Sequence, residues 1–356
     1  MGSAEGGALT RRNFLLASAT VAGGAALTLA GCSSSTTQSV GGGGKTSSPF
    51  NLNLGFTPAG RDAPFYYGQK LGLYADSGVN LTIASASSTT AALQLLSAGK
   101  ADAGLLGSAA LLQLMGQTPN PMLKSYATIF QKDISTIFFL KGKGIETPKD
   151  LEGKTISTSA GANEKLLFPA FAAKNGIDAA KVTWEVVSPT VKTGLILTGT
   201  VDASSTTLFG LAQLQSSAKP GQEIGYFTYG DYGVPGNPGV IGALADYGDT
   251  THATLMKSFI EASMESYKRS FANPDAAVDA MHEAVPTLDV SIAREEMNLL
   301  ENIAVGQPQK DHGIGWNDPA TFSVTADMVK TYFDVTLPKP SDDYFSNAYL
   351  GTVQAS

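Results

Sequence analysis

Cysteine is almost missing. The 356-residue chain has one, Cys32, which excludes a disulfide framework and any zinc site built from several thiolates. Its three histidines, His252, His282 and His312, stand far apart without His-x-x-x-His spacing, so no metal site is expected. Charge is thin as well, at 15% against roughly 25% in ordinary soluble domains. There is no Lys/Arg block after the N-terminal region, and with a net charge of −7 nucleic acid is not an expected partner. No Gly-x-Ser-x-Gly elbow or other nucleophile setting occurs, so no catalytic residue and no cofactor are expected. What remains is abundant: 39 glycines, much alanine and 43% hydrophobic residues. A chain of this length and composition has enough material for two domains and a substantial core.

The N-terminal region reads as an address. Thr10-Arg11-Arg12-Asn13-Phe14-Leu15-Leu16 resembles a twin-arginine export signal, and the apolar stretch from Phe14 to Ala30 supplies its hydrophobic region. It ends in Leu29-Ala30-Gly31-Cys32, which resembles a bacterial lipobox. Residues 1–32 are thus expected to be export signal and lipobox, with Cys32 as the lipidation site. Residues 33–49, rich in Ser, Thr and Gly, are expected to be a flexible tether. Within it, Gly41-Gly42-Gly43-Gly44-Lys45-Thr46 mimics the end of a P-loop, but Ser39 stands where the first glycine belongs and no strand precedes it, so nucleotide binding is rejected.

From Phe50 strands and helices alternate, which predicts an α/β class. Expected strands are 51–55, 79–83, 101–106, 135–140, 155–158, 182–187, 201–204 and 226–229. Expected helices are 63–71, 89–96, 109–115 and 164–174, with a helical tail after Thr250. A short repeat joins two regions: Leu95 to Ala103 ends in Gly-Lys-Ala-Asp-Ala, and Leu195 to Ala203 in Gly-Thr-Val-Asp-Ala. Each is a helix end, a glycine suited to positive φ and a strand opened by Asp-Ala, which suggests two similar lobes. Residues 135–140 and 240–245 are taken as the two crossings of a hinge. Lobe one is then 50–140 plus 243–356, and lobe two 141–242, with the helical tail on lobe one.

Several stretches carry a family resemblance. Leu54-Gly55-Phe56-Thr57-Pro58 with Ala63-Pro64-Phe65-Tyr66, Ala98 to Asp102, and Pro148-Lys149-Asp150-Leu151-Glu152-Gly153-Lys154 resemble type II solute-binding proteins of ABC importers. Tyr232 to Pro235 and Gly315-Trp316-Asn317-Asp318-Pro319 resemble the branch that takes in thiamine pyrimidine precursors, whose relatives bind alkanesulfonates, taurine or nitrate. The resemblance runs from Leu52 to Asp334. It implies a type II periplasmic-binding-protein fold, a small-molecule ligand, and an ABC permease with its ATPase as partners. With the lipid anchor, it places the chain outside the cell membrane or on its periplasmic side. The related pyrimidine-synthase enzymes carry a cysteine cluster and a histidine that this chain lacks, Asp62 standing at the histidine position, so that enzymatic reading is disfavoured.

Candidate ligand residues come from loops at strand ends, where open α/β sheets bind. They are Phe56, Thr57, Asp62, Phe65, Tyr66, Ser108, Ser159, Asn163, Thr206, Thr207, Phe209, Tyr229 and Tyr232. The aromatic residues beside an acceptor, Asp62, suit a flat heterocycle. Two alternatives stay open: Tyr229 and Tyr232 pack at the hinge, and Arg61 pairs with Asp62. A small organic anion, such as an alkanesulfonate or aromatic acid, would need Arg61, because Arg269 and Arg294 lie outside the expected cleft.

Overall fold

The computed structural model describes residues 47–351 except Pro235. The export signal, Cys32, the tether up to residue 46 and the P-loop mimic lie outside the described residues. Ten strands form two five-stranded sheets. They are β1 (Ser48–Asn53), β2 (Val79–Ala84), β3 (Ala103–Gly107), β4 (Leu123–Phe130), β5 (Ser135–Leu140), β6 (Thr155–Thr158), β7 (Thr183–Val186), β8 (Ala203–Thr207), β9 (Ile224–Thr228) and β10 (Gly239–Leu244). The first sheet has the order β2-β1-β3-β10-β4 and the second β7-β6-β8-β5-β9. In each, three parallel strands are followed by one antiparallel strand borrowed across the lobe boundary.

That borrowing corrects the expected boundaries. Residues 135–140 are a strand of the second sheet, paired to both β8 and β9, and residues 239–244 lie between β3 and β4 in the first. The chain therefore passes between sheets at 131–134 and 229–238. Every residue of β5 is buried, a burial that a strand bridging two lobes in solvent could not achieve. The first sheet also starts earlier than expected, because Ser48 already pairs with Val79. Main-chain pairing needs no particular side chain, so a Ser-Pro pair at the start of a strand carries no signal of it.

Strand β4 is not among the strands expected from the sequence. Its residues Leu-Lys-Ser-Tyr-Ala-Thr-Ile-Phe are buried at every position but Lys124, and a strand covered on both faces loses the alternation that identifies half-buried ones. The tail is helical as expected, in Ala253–Ala272, Pro274–Ala284, Val290–Ala304 and Pro319–Phe333, with a further short helix at Gln307–His312. Its stripe of Met256, Ile260 and Tyr267 packs with Phe50, Leu52 and Phe65 in one core, and Phe259 stacks on Phe50 with ring centroids 4.2 Å apart. A second core gathers Leu106 and Val240 of the first sheet and Leu111 of the helix Ser108–Gln117 with Ile137, Phe168 and Phe171 from the second lobe. The two lobes thus share apolar contact beside their crossings. No described helix is long and apolar enough to cross a membrane.

Candidate functional site

The loop after β1 is shaped by its backbone. Gly55 has φ +77°, and a Cβ there would sit 2.8 Å from the Leu105 carbonyl, so only glycine fits. Gly60 lies flat on the helix Val290–Ala304 and donates its N–H to Glu296. Asp62 Oδ2 accepts from Ala59 N at 3.0 Å, closing the turn Gly60–Asp62. Capping pulls Asp62 inward, to 1% exposure, and sends Arg61 outward over the ring of Phe209, 5.6 Å from its centroid. Burial raises the Asp62 carboxyl, with Arg61 opposing.

The opposite wall comes from the second lobe. The helix Asn163–Lys174 presents Asn163 and Glu164 in its first turn. Glu164 is 2% exposed, its Oε2 has no hydrogen-bond partner, and neither does Asn163 Oδ1. Lys192 ends the short helix Pro189–Lys192 and is 6% exposed. Its carbonyl accepts from Ser157 Oγ at 2.9 Å and Ser204 Oγ at 3.2 Å, which fixes the backbone from which the ammonium extends. Burial lowers the Lys192 ammonium, with Glu164 opposing and Arg61 adding to the drop.

Between these walls lie two adjoining spaces. The inner one, ≈ 80 Å³, is lined mainly by apolar side chains of the first lobe, among them Leu54, Phe56, Leu105 and Phe130, with Arg61 and Glu164 at its edge. The outer one, ≈ 450 Å³, is lined by Phe56, Thr57, Arg61, Glu164, Lys192 and Thr206, among others. Arg61 and Glu164 border both. Arg61 has one ion contact, 4.0 Å to Asp62, and among the described residues neither Lys192 nor Glu164 forms an ion pair within 4.0 Å.

Of the residues expected from sequence, Phe56, Thr57, Asn163, Thr206 and Thr207 line these spaces. Asp62 lines neither, because its capping role turns it into lobe one. Phe65 and Tyr66 are core residues, Phe65 packing edge-on to Tyr267 with centroids 5.5 Å apart. Burial pushes the Tyr66 hydroxyl up to about 12, with Asp62 adding. Phe209 is fully buried, beneath Arg61 and against Phe130. Tyr229 stacks on Phe171 with centroids 4.4 Å apart and donates its hydroxyl to the Glu164 carbonyl at 3.0 Å, while Tyr232 packs edge-on to Phe171 and Phe227. Both tyrosines are packing residues beside the second crossing. Ser108 is fully buried, its Oγ 3.5 Å from Asn237 Oδ1, and Ser159 is buried with an unpartnered hydroxyl. Arg61, Glu164, Lys192 and Asn237 complete the setting without having been singled out, apart from Arg61 as an alternative. For Arg61, Glu164 and Lys192 the only signal is polarity next to a helix end, which many surface residues share, and Asn237 sits in the loop before β10 with no signal of its own.

A family model described as NMT1/THI5 like matches residues 61–277. No curated protein matches the sequence. Among solved structures, a protein from Bordetella bronchiseptica RB50 is 18% identical with a TM-score of 0.69, covering 85% of this chain and 95% of its own. The alkanesulfonate-binding protein SsuA from Xanthomonas axonopodis pv. citri, bound to MOPS, is 14% identical with a TM-score of 0.64, covering 84% and 98%. A Candida albicans protein described as having the generic periplasmic binding protein structural fold is 14% identical with a TM-score of 0.60, covering 87% and 98%. The two-sheet α/β architecture is therefore the periplasmic binding protein fold, and with more than half of its length matched by the family model, the chain belongs to the NMT1/THI5-like family.

Proposed function

We propose that this protein is the solute-binding component of an ABC importer and that its ligand is a small organic anion held between the lobes. One observation carries the ligand class: two cations, Arg61 from the first lobe and Lys192 from the second, line one cavity against a single carboxylate, Glu164, and neither forms an ion pair closer than 4.0 Å. Leaving charge unpaired in a buried place is costly, and an anionic group recovers that cost by bonding both cations. The small apolar space next to Arg61 suits a short hydrocarbon part. The similarity to an alkanesulfonate-binding protein supports the same direction. A flat heterocycle read by Asp62 is the weaker reading, because Asp62 caps a turn and the aromatic set, Phe56 apart, is packed in the core.

Isothermal calorimetry with a panel of sulfonates, carboxylates and neutral pyrimidines tests this. A bond between charged groups is worth about 1.5–3 kcal/mol, so Arg61→Ala and Lys192→Ala should each weaken the best-bound acid by roughly tenfold to a hundredfold. Tight binding of an uncharged pyrimidine that ignores both substitutions overturns the assignment. In this reading the protein works outside the cytoplasmic membrane, anchored through Cys32, and hands its ligand to a permease. Fractionation checks the anchor: wild type should partition with membranes and Cys32→Ala should not be acylated, whereas a wholly soluble, unacylated wild type rules the anchor out.

A further inference from the structure

The anion site leaves one charge unexplained. Glu164 shares the outer space with both cations, borders the inner one as well, and is only 2% exposed. Its Oε2 finds no donor, and the Oδ1 of the adjacent Asn163 finds none either. The nearby groups do not repair this. Tyr229 gives its hydroxyl to the Glu164 backbone carbonyl, not to the carboxylate. Asn163 Nδ2 is turned to Ser135 Oγ at 3.4 Å. Asp133, close enough to interact with Glu164 electrostatically, adds like charge. Lys192 acts on Glu164 electrostatically but stays beyond the 4.0 Å of an ion pair. Buried acceptors without donors are rare in folded proteins, and one that lines a ligand space is a place where a bound molecule can supply the missing donor.

We propose that the ligand carries an amino group as well as its anionic group, and that Glu164 is the residue that selects for it, with Asn163 Oδ1 accepting a second N–H. This rests on the anion reading above and narrows it to small zwitterions. Arg61, Lys192 and Glu164 border one space of ≈ 450 Å³, so both charged ends must belong to one short molecule. A simple acid satisfies the two cations and leaves Glu164 bare, now facing added negative charge. An amino acid or amino sulfonate satisfies all three.

Matched probes decide it: 3-aminopropanoate against propanoate, and 2-aminoethanesulfonate against ethanesulfonate, titrated by calorimetry into wild type and Glu164→Gln. For at least one head group, wild type is expected to bind the amino member more than tenfold tighter than its amine-free partner. In Glu164→Gln that preference should vanish, with the amine-free acid bound as well as or better than in wild type, which also shows that the variant is folded. A wild type that prefers the amine-free acids overturns the amino-group proposal and leaves the anion site standing. A preference that survives in Glu164→Gln removes Glu164 from the selecting role. If no acid of either kind binds wild type at millimolar concentration, both readings fall. Should Glu164→Gln not fold, the wild-type comparison alone still rejects the proposal when the amine-free members win.

Discussion

At the scale of single residues, the cleft loop owes its shape to a buried carboxyl that no ligand needs to touch. Glu296 accepts the Gly60 N–H from beneath, and burial raises its carboxyl to about 7, with Arg61 opposing and Asp62 adding. Its unfolded value is near 4.5, so the native state holds a proton that the unfolded chain releases earlier. The contribution to stability is complete below pH 4.5 and is lost as pH rises towards 7. Asp133, raised to about 6 mainly by burial against the opposing bonds from Ser135 and Asn237, acts in the same direction at lower pH. We expect the stability difference between wild type and Glu296→Gln to change by an amount on the order of 3 kcal/mol between pH 4.5 and 7, the variant losing less as pH rises. Urea unfolding across that range measures it, and parallel curves for the two proteins would show that Glu296 is ionised alike in both states.

At the scale of elements, the repeat noticed in the sequence performs the same task twice. Asp102 Oδ2 accepts from Asn51 N at 2.7 Å and Asp202 Oδ2 from Thr155 N at 2.8 Å, while each aspartate's own N–H returns to the carbonyl of the same strand residue. Each aspartate therefore ties the start of the third strand to the first strand of its sheet, β1 or β6. The glycines before them, Gly99 at φ +62° and Gly199 at φ +73°, end their helices with matching bonds, Lys100 N to Leu95 O and Thr200 N to Leu195 O. These units were legible because every bond in them is local or sits at a fixed strand start. Strand β4 and the sheet membership of β5 and β10 were not, since buried apolar runs look alike whichever sheet they enter.

At the scale of the molecule, the lobes meet closely at the cleft. A Cβ on Gly107, at the end of β3, would lie 3.0 Å from Asn163 Oδ1 of the second lobe and 3.1 Å from Asn237 Oδ1 of the second crossing. Gly161, at φ +67°, places its backbone against Thr90 and Ser88 of the first lobe in the same way. Gly107 has φ −80°, so alanine is unstrained there and acts only through this contact. Gly107→Ala should hold the lobes slightly apart and weaken ligand binding by about tenfold, or 1.4 kcal/mol. Small-angle scattering should give a larger particle than wild type under identical conditions. Identical scattering and unchanged affinity would mean that closure does not depend on this contact.

The sequence by itself determined the fold class, the doubled Asp-Ala unit, most element positions and the family resemblance, because these rest on periodicity, caps and glycines that act within a few residues. It also singled out Phe56, Thr57, Asn163, Thr206 and Thr207, which line the cleft, the last two from the end of β8 and Asn163 from a helix start. Only the tertiary structure decided which way neighbours point. Arg61 and Asp62 are adjacent in sequence, yet the cap on Ala59 and the close approach of Gly60 to the helix Val290–Ala304 turn the acid inward and the base outward. Glu164 and Lys192 become site residues only because the lobes bring a helix start and a helix end to face Arg61 across the cleft. Long-range packing sets those orientations, and no local pattern encodes them.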